Sequence, residues 1–227
     1  MDIVVTGGSD GEGGGTGPLV VLMHGFGAPG DDLASLGSVL GGPPGTRYVF
    51  PAAPIDLGPA FAGGRAWWNL DLEARMRRQA LGIRDITEVP DGLHEASDLI
   101  VRLLAALKDE LAPPQGKVVL GGFSQGAMLA LDVALRSTCD IAGLLLLSGT
   151  HIASGEWAPL FETRRGLPVL QSHGRSDEIL PISVSEHLRD VMLEAKWDVE
   201  WVPFEGGHGI PPVVVTRARA FLDRVLA

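Results

Sequence analysis

Continuous apolar runs alternate along the chain with stretches in which apolar residues recur every three or four positions. Pro18 to Met23 is apolar throughout, which predicts a strand buried on both faces, as in a parallel sheet. Arg47 to Phe50, Lys117 to Leu120, Ile141 to Ser148, Pro168 to His173 and Val199 to Phe204 read the same way. Between them, Asp91 to Leu111 carries Leu93, Ala96, Ile100, Leu103, Leu104 and Leu107 at helical spacing, with Asp91 as the expected N-cap. Asp31 to Leu40, Ala127 to Leu135, Ile182 to Ala195 and Pro211 to Leu226 are the other expected helices. Ile3 to Thr6 is a short β-prone run, and the glycine-rich stretch Gly7 to Gly17 is expected to be a flexible turn after it. A phosphate-binding loop is not expected there, because the stretch lacks a lysine and a following helix. Residues 51–90 break the alternation. Turn signals at Pro51, Pro54 and Gly58-Pro59 precede Trp67-Trp68 and a charged run with Glu73, Arg75, Arg77 and Arg78. This segment is expected to be a lid or pocket wall. Strands alternating with helices predict one α/β domain over residues 1–227, with a mostly parallel central sheet and helices on both faces.

Composition narrows the function classes. The 227 residues are 45% hydrophobic and 20% charged, with a net charge of −10, which speaks against a nucleic-acid partner or an anionic membrane surface. A single cysteine, Cys139, forms no internal disulfide and is expected to be a small buried apolar group rather than a metal ligand. The N-terminal stretch has neither a basic region nor a long apolar core, and no run of about 18 apolar residues exists. Neither a signal peptide nor membrane insertion is therefore expected, and a cytoplasmic protein is. Nothing in the sequence gives an oligomeric state.

The candidate chemistry centres on Gly122-Phe123-Ser124-Gln125-Gly126, which matches G-x-S-x-G between an apolar strand and a helix. A serine on a sharp strand-to-helix turn has its hydroxyl exposed at the sheet edge, and a glycine two positions to either side relieves crowding against neighbouring strands. The alternative is a glycine-rich turn with an inert serine. A serine hydroxyl needs a base, and the base needs an acid to hold its tautomer. His208 lies in a glycine-flanked turn after a late strand and is the expected base. His151 is the runner-up, His173 is expected to pack or hydrogen-bond locally, and His187 to be solvated. Asp177, in the loop after the strand ending at His173, is the expected acid, with Glu178 its competitor. Two backbone amides should face the developing oxyanion, those of Phe26, in His24-Gly-Phe-Gly27, and of Gln125. His24 itself is expected to be structural.

Taken together, these stretches resemble the phospholipase/carboxylesterase family of α/β-hydrolases, close relatives of acyl-protein thioesterases. The resemblance rests on His24 to Leu33, Pro51 to Pro54, Arg65 to Trp68, Gly121 to Ala127, His173 to Pro181 and Gly206 to Ile210, in the family's order. It implies an α/β-hydrolase fold and a serine esterase acting on carboxylic and thio esters without cofactor or metal. It also implies Ser124, Asp177 and His208 as the catalytic set, with Phe26 and Gln125 as oxyanion donors. Asn69 stands where the family commonly has an aspartate, and the segment from Asp56 to Glu88 is more elaborate than in its shortest members. Trp67 and Trp68 are read either as substrate-binding pocket wall, suited to an acyl chain or aromatic ester, or as ordinary core.

The favoured function is a serine carboxylesterase with a small-molecule ester substrate, thioesters and lysophospholipids included. The alternatives are a serine peptidase and a non-hydrolytic receptor for a small ligand on a hydrolase scaffold.

Overall fold

A computed structural model describes residues 1–70 and 86–227. The strands are β1 (Ile3–Gly8), β2 (Glu12–Gly14), β3 (Leu19–Met23), β4 (Arg47–Pro51), β5 (Ile55–Asp56), β6 (Arg65–Ala66), β7 (Val118–Phe123), β8 (Gly143–Leu147), β9 (Pro168–Gly174) and β10 (Asp198–Phe204). The described α-helices are α1 (Leu93–Leu111), α2 (Gln125–Arg136), α3 (Ser154–Trp157), α4 (Ile182–Glu194) and α5 (Pro212–Leu226).

Eight strands form one sheet in the order β10-β9-β8-β7-β3-β4-β1-β2. Strands β4, β3, β7, β8, β9 and β10 are parallel, and β1 runs antiparallel to β4. The period of two along a strand explains why the central runs are apolar throughout. Leu19, Val21 and Met23 of β3 face one cluster with α1 and α2, whereas Val20 and Leu22 face another with α5. Helix α5 meets the sheet through Val214, Ala218, Phe221, Leu222 and Leu226, all buried on one helical stripe. Each of the larger side chains among them contributes roughly 2 kcal/mol by leaving water.

Several local expectations are corrected. The helix expected from Asp91 starts at Leu93, capped by Gly92 in a left-handed conformation (φ 92°) with no side-chain cap. A glycine reaches that conformation without strain, and Asp91 stands one residue before the capping position. The helix expected over Asp31 to Leu40 is only a short 3-10 turn, Ala34–Ser38, although Leu33 and Leu40 are buried as their spacing suggests. The Gly7–Gly17 stretch contains β2, which pairs with β1. It is also tied down by the fully buried Arg47, whose Nη1 donates to the Gly15 and Leu111 carbonyls, both at 2.7 Å. Cys139 is half-buried rather than buried, packed at the margin of the core.

The segment expected to be a lid is in part braced structure. Strands β5 and β6 form an antiparallel hairpin, and the backbones of Ile86 and Glu88 accept hydrogen bonds from Ser154 and Ala153. The charged run with Glu73, Arg75, Arg77 and Arg78 lies outside the described residues.

Candidate active site

Parallel strands bring the chain's candidate chemistry to one edge. Strands β3, β7, β8, β9 and β10 all end there, and each is followed by a residue singled out above: Phe26, Ser124, His151, Asp177 and His208. Their gathering is a consequence of sheet topology rather than of sequence proximity.

Ser124 joins β7 to α2 with φ 54° and ψ −114°, a left-handed conformation that a non-glycine residue adopts only at a cost. The Ser124 amide donates to the Leu147 carbonyl at 2.8 Å, and its own carbonyl accepts from Ala127 and Met128. The elbow thus closes against β8 on one side and the first turn of α2 on the other. A Cβ at Gly126 would lie 2.1 Å from the Met23 carbonyl oxygen, and one at Gly122 would lie 2.4 Å from the same atom. Both flanking glycines are therefore required by contact with β3.

Asp177 and His208 are brought together. His208 Nδ1 lies 2.7 Å from Asp177 Oδ2, and the ring of His208 packs against Phe123, the neighbour of Ser124, at 4.7 Å between centroids. Asp177 Oδ1 accepts the amides of Ile179 and Leu180 at 2.9 and 2.8 Å. Burial pushes the Asp177 pKa up, but hydrogen bonds from His173, His208 and the Leu180 amide outweigh it and hold the carboxyl well below its ordinary value. It is therefore an anion at neutral pH. Because the carboxylate can only accept, the Nδ1 of His208 donates and Nε2 is left free to take a proton. The competitor Glu178 is exposed.

The other histidines separate from this pair. His151 is buried between Trp157 and His187, with ring centroids 5.6 and 5.2 Å away, and neither of its nitrogens has a partner among the described residues. Burial, with a contribution from His187, pushes its pKa down to about 4, so it is neutral at pH 7, and no carboxylate among the described residues orients it. His187 is exposed but stacks on His151 rather than standing free. His24 is structural: its Nε2 accepts the Ala53 amide at 3.0 Å, and its Nδ1 lies 2.8 Å from the Gly25 carbonyl.

The Phe26 and Gln125 amides have no acceptor among the described residues. Gln125 opens α2, so its amide belongs to the unpaired first turn of that helix. The loop that carries Phe26 is fixed from three sides. His24 grips Ala53, the Gly27 amide donates to the Arg65 carbonyl at 2.9 Å, and the Arg65 amide donates back to Ala28 at 3.0 Å. Arg65 also donates from Nε to the Ala53 carbonyl. The Pro51–Pro54 and Arg65–Trp68 stretches thus serve as a brace for this loop.

Of the two readings of Trp67 and Trp68, the described residues favour the core: each is 1% exposed, within the cluster that includes Leu93 and Ala96 of α1. Their backbone is held by the Gln125 side chain, for which the sequence offered no role. The Trp67 amide donates to Oε1 at 3.0 Å, and Nε2 donates to the Trp68 carbonyl at 2.9 Å. These partners are 58 and 57 residues away, so no local pattern could have revealed them. Gln125→Ala would leave two buried backbone groups unsatisfied and is expected to cost roughly 3 kcal/mol or more. Chemical denaturation followed by tryptophan fluorescence measures it.

A mostly parallel sheet flanked by helices, with a strand-to-helix turn at Ser124 and Asp177 and His208 beyond the same edge, is the arrangement of an α/β-hydrolase. The chain belongs to the phospholipase/carboxylesterase family, whose model matches residues 14–226. It is 29% identical over 214 residues to acyl-protein thioesterase 1 of Eremothecium gossypii, covering 89% of this chain and 85% of that one. The corresponding protein of Debaryomyces hansenii is 24% identical over 91% of this chain and 90% of its own. Among solved structures, esterase PE8 superposes with a TM-score of 0.79 at 28% identity, covering 98% of this chain and 97% of that one. The protein is thus an ester hydrolase by family. Among the described residues, no helix is long and apolar enough to cross a membrane.

Proposed function

We propose that the chain acts as a single-domain serine carboxylesterase that cleaves carboxylic esters, and thioesters by the same chemistry, through an acyl-serine intermediate. The observation that carries this reading is the 2.7 Å contact between His208 Nδ1 and Asp177 Oδ2, beside a strained Ser124. His208 Nε2 removes the hydroxyl proton as Ser124 Oγ attacks the carbonyl carbon. The tetrahedral oxyanion is received by the amides of Phe26 and Gln125, whose donors are already free and need no reorganisation. The intermediate collapses as His208 returns the proton to the departing alcohol or thiol. Water, deprotonated by His208, then attacks the acyl-serine, and His208 returns that proton to Ser124 Oγ as the acid is released. Asp177 holds the Nδ1–H throughout and stabilises the imidazolium. Thioesters enter because the same attack expels a thiol more readily than an alkoxide, and the relatives named above carry that activity in their names.

The test is a series of matched oxygen esters and thioesters from acetyl to palmitoyl, assayed with chelator present. Turnover of this series is the expected result, and its chain-length optimum measures the acyl site. Cleavage of peptides with no turnover of any ester would overturn the reading in favour of a peptidase.

A further inference from the structure

His173 is the last residue but one of β9 and is fully buried, four residues before Asp177. Its Nε2 lies 2.6 Å from the Leu180 carbonyl and 3.2 Å from Asp177 Oδ2. A carbonyl and a carboxylate both accept, so Nε2 bears the hydrogen and shares it between them. Among the described residues, Nδ1 is buried with no partner. A hydrogen there would be an orphaned buried donor, so the ring is neutral and in the Nε2–H form.

The carboxylate of Asp177 is thereby met from every side. Oδ1 takes the amides of Ile179 and Leu180, and Oδ2 takes His208 and His173. The same hydrogen of His173 bridges the two ends of the loop, since Leu180 stands just before Pro181 and α4. The remaining charges of this loop lie outside the pocket: Arg175 pairs with Glu205 at 3.1 Å at the surface, and Glu178 is exposed.

We propose that His173 is a positioning residue of the hydrolase, whose neutral Nε2–H fixes the Asp177 carboxylate in the orientation in which Oδ2 meets His208. This rests on the triad reading above. His173 never touches the substrate and acts through Asp177. It has a second, electrostatic effect: each donor draws negative charge from the carboxylate, so removing one leaves more charge facing His208 and holds a proton there to higher pH.

The test compares His173→Met, which keeps the volume and removes the donor, with His173→Gln, whose amide nitrogen can reach the place of Nε2. For His173→Met, kcat/KM on a short-chain ester is expected to fall by about 10-fold to 100-fold, as when groups that orient a functional side chain are removed. The acid limb of its pH profile is expected to move to higher pH. His173→Gln is expected to return the limb and most of the rate. An acid limb unmoved in His173→Met, whatever the loss of rate, would reduce His173 to a packing residue and overturn the proposal. Nitrogen-15 spectra of histidine-labelled wild-type protein test it without any variant: His173 as neutral Nε2–H at pH 7 is expected, and an Nδ1–H or imidazolium form would overturn it. Full activity in Asp177→Asn would overturn the triad reading instead.

Discussion

Replacing Ser124 with alanine is expected to lower kcat for ester hydrolysis by about a million-fold, the scale on which serine hydrolases respond to loss of the nucleophile. Stability should change little. The backbone conformation at Ser124, φ 54°, is imposed by the β7–α2 junction and by its amide bond to Leu147, neither of which involves the hydroxyl. Alanine meets the same backbone strain as serine. Thermal unfolding of the variant beside wild type checks the second half of this expectation, and single-turnover kinetics on a p-nitrophenyl ester the first. Slow residual turnover above the uncatalysed rate is also expected, because the Phe26 and Gln125 amides remain in place.

Asp177→Asn is expected to cost about ten-thousand-fold in kcat/KM, for a reason visible in the hydrogen bonds. The amides of Ile179 and Leu180 donate to Oδ1, so an asparagine must turn its carbonyl toward them. Its NH2 then faces His208. The imidazole answers with Nδ1 as acceptor and Nε2 carrying the hydrogen, a tautomer unable to take a proton from Ser124. The same NH2 also confronts the Nε2–H of His173, so the variant loses stability as well as activity. Its pH dependence follows from sign. The Asp177 carboxyl is held below its ordinary value of 3.8 in the folded protein, so it contributes stability above that pH and loses it as the solution is acidified further. The difference in stability between wild type and Asp177→Asn should therefore be largest at neutral pH and shrink below pH 3.8.

The sheet was legible because its strands are buried on both faces, and the runs at Leu19 to Met23 and Gly143 to Leu147 leave no other reading of comparable simplicity. The meeting of Asp177 with His208 was legible too, because strand ends in a parallel sheet share an edge and each residue directly follows a strand. What could not be read is non-local and polar. The grip of Gln125 on Trp67 and Trp68 and the bond of His24 to Ala53 depend on which loops fold over the edge, and a single buried donor leaves no periodicity. Trp67 and Trp68 show the ambiguity from the apolar side: a large indole suits a pocket wall and a core equally, and only packing beneath α1 decides between them. Helix α1 begins after Gly92 rather than after Asp91 because the chain turns at the glycine, whose left-handed backbone is open to it without strain.

The central claim is that Ser124 is the nucleophile activated by His208 and Asp177. Its most direct test is mass spectrometry of the protein after reaction with a fluorophosphonate, with the modified peptide sequenced. One phosphonyl group on Ser124 of the wild type is expected, with none on Ser124→Ala and slowed labelling of Asp177→Asn. An unlabelled wild type, or a label that persists at another residue in Ser124→Ala at the wild-type rate, would contradict the account.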